Sequence, residues 1–176
     1  MATVNSYTRV MPTPDRTSLD EIIAVARELL EDDALTMQAV AARVGVQPPS
    51  LYKRVRSRDE LVRLVGESTL TDLSRIEGDI YAVAAAYRAF AHARPAAFRL
   101  VMSSPVDPAL AALASEPILR AAAELAPDHP LEAARTLTAW ANGFIGMELA
   151  GAFNLGGSVD DAWQFGLEKL VAAISQ

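Results

Sequence analysis

Residues 35–61 read LTMQAVAARVGVQPPSLYKRVRSRDEL, and the fold is decided there. Thr36 offers a hydroxyl to cap a helix by accepting one of its free backbone N–H groups. Met37, Val40, Ala41 and Val44 then recur at helical spacing on one face. Gly45 follows at once, where a helix exit needs left-handed backbone. After Val46, the run Gln47-Pro48-Pro49-Ser50 opens a second helix, because a first turn does not need the N–H that proline lacks. Leu51 and Val55 point inward four residues apart, and Tyr52, Lys53, Arg54 and Arg56 spread over the outside. Ser57-Arg58-Asp59-Glu60 has the Ser-x-x-Glu form of a capping box and starts a third helix. The reading is a helix-turn-helix whose second helix suits a DNA major groove.

Charge supports this reading once its distribution is followed. The chain has a formal net charge of -6, which by itself argues against a polyanionic partner. Between Arg43 and Arg63, however, Arg43, Lys53, Arg54, Arg56, Arg58 and Arg63 face only Asp59 and Glu60, a local excess of +4. The basic charge is gathered on the reading head and the remainder is acidic.

The 176 residues suffice for one domain or two small ones, and the hydrophobic fraction of 51% supports a core. Alanine is abundant and β-branched runs are rare, which favours helix throughout. The chain has no cysteine, which excludes disulfides and thiolate metal sites and fits a reducing cytoplasm. No apolar run reaches membrane-spanning length, and the first residues, MATVNSYTRVMPTPDRT, lack the apolar centre of a signal peptide.

Outward from the decisive stretch, three parts are expected. Residues 1–17 form a flexible arm with Pro12 and Pro14. Residues 18–77 form the DNA-binding domain. Its first helix is capped by Ser18 with Glu21, and its bridging helix runs from Arg58 to about Ser74. Residues 78–176 form a second helical domain, with Gly78 at the boundary. Helices are expected over Asp79–Arg94, from Pro95 to Met102, and over Asp107–Ala126 with Pro117 splitting or kinking it. Two more follow, over Leu131–Phe153 and from Ser158 to the end.

The first stretch resembles the DNA-binding domain of the TetR family of transcriptional regulators. Thr36, Ala41, Gly45, Val46, Leu51, Tyr52, Lys53, Arg58, Asp59 and Leu61 carry the resemblance, in a frame ending in LYKxxxSRDEL. Val55 stands where that family often has phenylalanine. Tyr87–Pro105 with Trp140-x-Asn142-Gly143-Phe144 resembles the C-terminal ligand-binding domain called WHG, with Asn142 in place of its histidine. The resemblance implies an all-α protein: an N-terminal three-helix helix-turn-helix domain and a C-terminal helical bundle for ligand binding and dimerisation. It implies phosphate contacts by Thr36, Tyr52, Lys53 and Arg58. Gln47, Pro48 and Ser50 lie at the front of the recognition helix, where glutamine can read adenine and proline can meet a thymine methyl. Arg56 can reach phosphate.

The chemistry of catalysis is missing. His92 and His129 are the only histidines, and no metal-binding histidine pair, nucleophile elbow or phosphate loop is present. No enzyme, metal or cofactor is expected. Family resemblance raises a pocket reading for Tyr87, Phe98, Met102, Trp140, Phe144 and Met147, with Gly143 and Gly146 leaving room beside them. Few charges would line it, which suits a small apolar ligand, neutral or cationic. Trp163, Leu167 and Leu170 form a stripe on the last helix. With the helix before it and their symmetry mates, they could make a four-helix homodimer interface. The resulting expectation is a cytoplasmic, ligand-responsive regulator, a repressor released from a palindromic operator. The alternatives are a small helical enzyme and a helical interaction module without ligand.

Overall fold

A computed structural model of the chain describes residues 17–103 and 107–176. The expected arm lies outside the described residues apart from Thr17, which is buried. Every described element is a helix: α1 (Leu19–Glu31), α2 (Met37–Val44), α3 (Pro48–Tyr52), α4 (Arg58–Leu73), α5 (Ile80–Ala93), α6 (Pro95–Ser103), α7 (Pro108–Leu125), α8 (Pro130–Leu149) and α9 (Val159–Ile174).

Local chemistry sets most of the boundaries. Ser18, Thr36, Ser57, Asp79 and Ser158 each accept, through a side-chain oxygen, a backbone N–H three residues on. The capping box at Ser57 is shifted by one residue. The Glu60 carboxylate accepts the N–H of Arg56 rather than that of Ser57, at 2.6 Å. Gly45 closes α2 with φ of 77°, so that Val46 N–H reaches Ala41 O and Gly45 N–H reaches Ala42 O. Gly151 closes α8 in the same manner, and the helix ends at Leu149 rather than at the expected Phe153. Pro117 does not split α7, which runs through it, and the ring is buried.

Two cores result. The first holds Ile22, Ala26 and Leu29 of α1, Val40 and Ala41 of α2, Leu51 of α3, Val55, and Leu61 and Val65 of α4. The second joins α5, α6, α7, α8 and α9 through Val83, Phe98, Ala121, Leu137, Ile145, Trp163 and Leu167. Helix α4 passes from one to the other, and α6 packs beside it with Leu100 in the first core and Phe98 in the second. The architecture is the expected all-α one, with a helix-turn-helix followed by a helical bundle.

Candidate nucleic-acid interface and ligand cavity

The reading head is a short recognition helix on a rigid base. Leu51 and Val55 are wholly buried, which fixes α3 against α1, α2 and α4. Its N-terminal residues Gln47, Pro48 and Ser50 lie at the open end, Gln47 exposed and the other two half-buried. Helix α3 ends at Tyr52, earlier than the run of basic residues suggests. Lys53 caps it, and Arg56 belongs to the link before α4. Tyr52, Lys53 and Arg56 are exposed. No salt bridge among the described residues neutralises Lys53 or Arg56. A phenol and two unneutralised cations beside a helix start are the donors that phosphate requires.

Two of the expected contacts have structural duties as well. Thr36 Oγ1 accepts the N–H of Ala39 at 3.0 Å, which leaves its own hydrogen for an outside acceptor. Arg58 Nε donates to the carbonyl of Leu35 at 2.9 Å, tying the start of α4 to the segment before α2.

A cavity of about 240 Å³ opens where α4 meets the second core. Leu70 and Leu73 of α4, Val83 and Tyr87 of α5, and Val101 and Met102 of α6 line one part of it. Ala114, Pro117 and Ile118 of α7, and Leu137, Thr138, Trp140 and Asn142 of α8 line the rest. Tyr87, Met102 and Trp140 are therefore brought together as expected, and Phe98, Phe144 and Met147 are not. Phe98 is buried core against Tyr87, edge to face at 5.9 Å. Phe144 belongs to an aromatic cluster with Trp140, Trp163 and Phe153. Met147 is 49% exposed on the outer face of α8. Gly143 and Gly146 also face outward, with open space where a Cβ would project, so they leave no room beside the cavity. The lining from α7 was not anticipated, because its alanines give no sign in the sequence of which face turns inward.

The cavity carries few polar groups and no charged one. Tyr87 donates its hydroxyl hydrogen to Asn142 Oδ1 at 2.7 Å. Burial pushes the phenol up to about 12, so it stays neutral. Glu148, near the C-terminal end of α8, lies outside the cavity. Its carboxylate accepts from Arg88 Nε at 3.0 Å and lies 3.0 Å from His92 Nε2. Arg88 also reaches Asp160 at 2.7 Å and stacks 5.2 Å over Trp163. These groups line an outer groove of about 690 Å³ between α5, α8 and α9. The hydrogen bond from Arg88 is the main reason the Glu148 carboxyl lies below its usual range. Burial opposes that shift and the bond from His92 assists it.

The stripe expected to meet a second copy is turned into the protomer. Trp163 and Leu167 are only 4% and 5% exposed, and Leu170 packs half-buried against the same core. The physical reason is Trp140, whose ring lies 4.6 Å from that of Trp163 and draws α9 onto α8. The outward face is instead Gly143, Gly146 and Met147 on α8 and Ala162 and Phe165 on α9, with Phe165 64% exposed.

Among the described residues no group of acids and histidines could hold a metal ion, and no helix is long and apolar enough to cross a membrane.

Comparison with known proteins agrees with this geometry. Residues 22–65 match the family described as bacterial regulatory proteins, tetR family, and residues 80–170 match the one described as tetracyclin repressor-like, C-terminal domain. An uncharacterized HTH-type transcriptional regulator of Mycobacterium tuberculosis is 26% identical over 162 residues, covering 80% of this chain and 74% of that protein. Among solved structures, a protein of unknown function from Rhodococcus sp. RHA1 aligns with a TM-score of 0.77 at 20% identity, over 94% of this chain and all of that one. A TetR transcriptional regulator from Streptomyces coelicolor aligns with a TM-score of 0.74 at 18% identity, over 90% and 98%. A TetR variant from Acinetobacter baumannii AYE, in complex with minocycline, gives 0.64 at 21% identity, over 90% and 96%.

Proposed function

Because the chain belongs to the tetR family of bacterial regulatory proteins, a family of DNA-binding regulators and not of enzymes, we propose that it is a ligand-responsive repressor acting as a homodimer on a palindromic operator. The observation that carries the reading is the path of α4. It begins at Arg58 beside the reading head and ends with Leu70 and Leu73 in the wall of the cavity. A molecule entering the cavity meets the same helix that positions the head.

Two heads of a dimer would enter successive major grooves about 34–36 Å apart. The outward face of α8 and α9, with Phe165 and Met147 beside small residues, is the surface for the second copy. A ligand that favours a tilted α4 changes that spacing and releases the duplex, by as much as its affinity for the two states differs. The cavity of about 240 Å³ is lined without a charged group, so the ligand is small, apolar and uncharged. The place of action is the cytoplasm, with the chromosome.

The test is a pair of substitutions on the head, read against a panel of duplexes. Lys53→Ala should weaken all sequences alike and lower the salt slope by about one. Gln47→Ala should alter the preferred base at one position in each half-site. Loss of affinity without any change of preference in Gln47→Ala removes the base-reading role from the front of α3.

A further inference from the structure

Glu31 is the last residue of α1, in the DNA-binding domain, yet its carboxylate serves a helix of the other domain. Its two oxygens accept the backbone N–H groups of Ala96 at 2.8 Å and Ala97 at 3.0 Å. These are the first free donors of α6, where a helix carries unpaired N–H groups and partial positive charge. A carboxylate from 65 residues away stands in for the missing cap. Such charge-assisted bonds are short and directional, unlike the apolar contact of Leu100 with the first core.

Both ends of this link are connected further. One turn beyond the clamp, Val101 and Met102 of α6 line the cavity. On the other side, α1 is bolted to α4 by Arg27, which bonds Asp72 at 2.7 Å and Ser68 at 2.5 Å. The same helix buries Ile22, Ala26 and Leu29 in the core that holds α2 and α3. A shift of α6 must therefore carry α1 with it or break two charged hydrogen bonds.

We propose that Glu31 is the positioning residue that transmits the state of the cavity to the reading head, by clamping the start of α6. The inference rests on the ligand-responsive reading above. It adds a route through α1 to the one along α4.

Filling the cavity by substitution tests the clamp without a known ligand. Ala114→Phe places a ring in the void from α7. Amide exchange at Val40 and Ala41, buried in α2, reports the head. The measurement is made on the full chain with Glu31 intact, with Glu31→Gln, which keeps the volume and one acceptor, and with Glu31→Ala. Exchange at Ala96 and Ala97 should rise about tenfold in Glu31→Ala, confirming loss of the clamp. Filling should change exchange at Val40 and Ala41 by about tenfold with Glu31 intact, by less in Glu31→Gln, and by only about threefold in Glu31→Ala, where the route along α4 remains. If Glu31→Ala does not fold, the weakened response in Glu31→Gln decides. An equal response in every background that folds overturns the role of Glu31 and leaves the ligand response standing. No response even with Glu31 intact overturns both.

Discussion

The two cores of this protein are closed to different degrees. The first is branched aliphatic: Ile22, Val40, Leu51, Val55, Leu61 and Val65 are all at most 1% exposed. The second sets Ile80, Val83, Leu137, Ile145, Leu167 and Val171 among four alanines and the rings of Phe98 and Trp163, and among its described large side chains only Ile145 reaches that burial. It also encloses the cavity of about 240 Å³. Side chains at close packing leave a helix few ways to move, whereas those around a void leave several. A reading head must hold a few side chains in register with base edges, and a sensor must change shape when filled. The difference in closure follows the division of labour proposed for the two domains.

Truncating one leucine in each core breaks this comparison most directly. Leu61→Ala should destabilise the protein by about 3–5 kcal/mol, because the solid core cannot close around the gap. The same truncation at Leu137, which is buried but faces the cavity, should cost only about 2 kcal/mol, since part of its surface lacks neighbours already. Denaturant melts of both variants check the difference, and equal costs would mean that the second core is as tightly packed as the first.

A smaller effect tests the charged seam on the outside of the second core. Arg88 and Glu148 keep side-chain exposures of 16% and 13%, so their bond is partly desolvated. Glu148→Gln should cost about 2 kcal/mol at neutral pH. The carboxyl is held below its ordinary value, so its contribution is fully present above about pH 4.5 and fades as the pH falls through the lowered value. Stability measured from pH 7 downward should accordingly fall more steeply in the native protein than in Glu148→Gln over that acid range. The smallest effect is expected back in the head. Thr36→Ala removes the cap of α2 and should cost about 1 kcal/mol by thermal melting, with DNA affinity reduced beyond that if the hydroxyl also meets phosphate.

What was legible in the sequence divides along the same line. Ser18, Thr36, Ser57 and Gly45 act on backbone groups within a few residues, so reading them along the chain located the head. Leu51 and Val55 declared their inward face by spacing alone. In the second domain the readable signals were the helix starts at Asp79 and Ser158. Of the six side chains expected together, Tyr87, Met102 and Trp140 line one cavity. Phe144 is instead drawn into stacking with Trp163 and Phe153, a tertiary event that spacing does not encode. Helix α8 is apolar nearly all round, so nothing in it told that Gly143, Gly146 and Met147 face out while Ala141 and Ile145 face in. Trp163 and Leu167 were assigned to a partner for the same reason, and Trp140 claims them within the protomer. Glu31 and Arg27 carry no mark of their partners in the local sequence. Their partners are 65 and 45 residues away, and only folding brings them together.

On the function proposed above, the exposed basic head reads duplex DNA in two copies. The most direct test is the affinity of the protein for a palindromic duplex, selected from a random pool, against a scrambled duplex of equal length, followed from low to physiological salt. Log affinity should fall steeply and linearly with log salt for both duplexes, with a preference for the palindrome of about a thousandfold or more at physiological salt. Two protein chains should bind each palindrome. Equal affinity for the two duplexes at every salt concentration would contradict the proposed function.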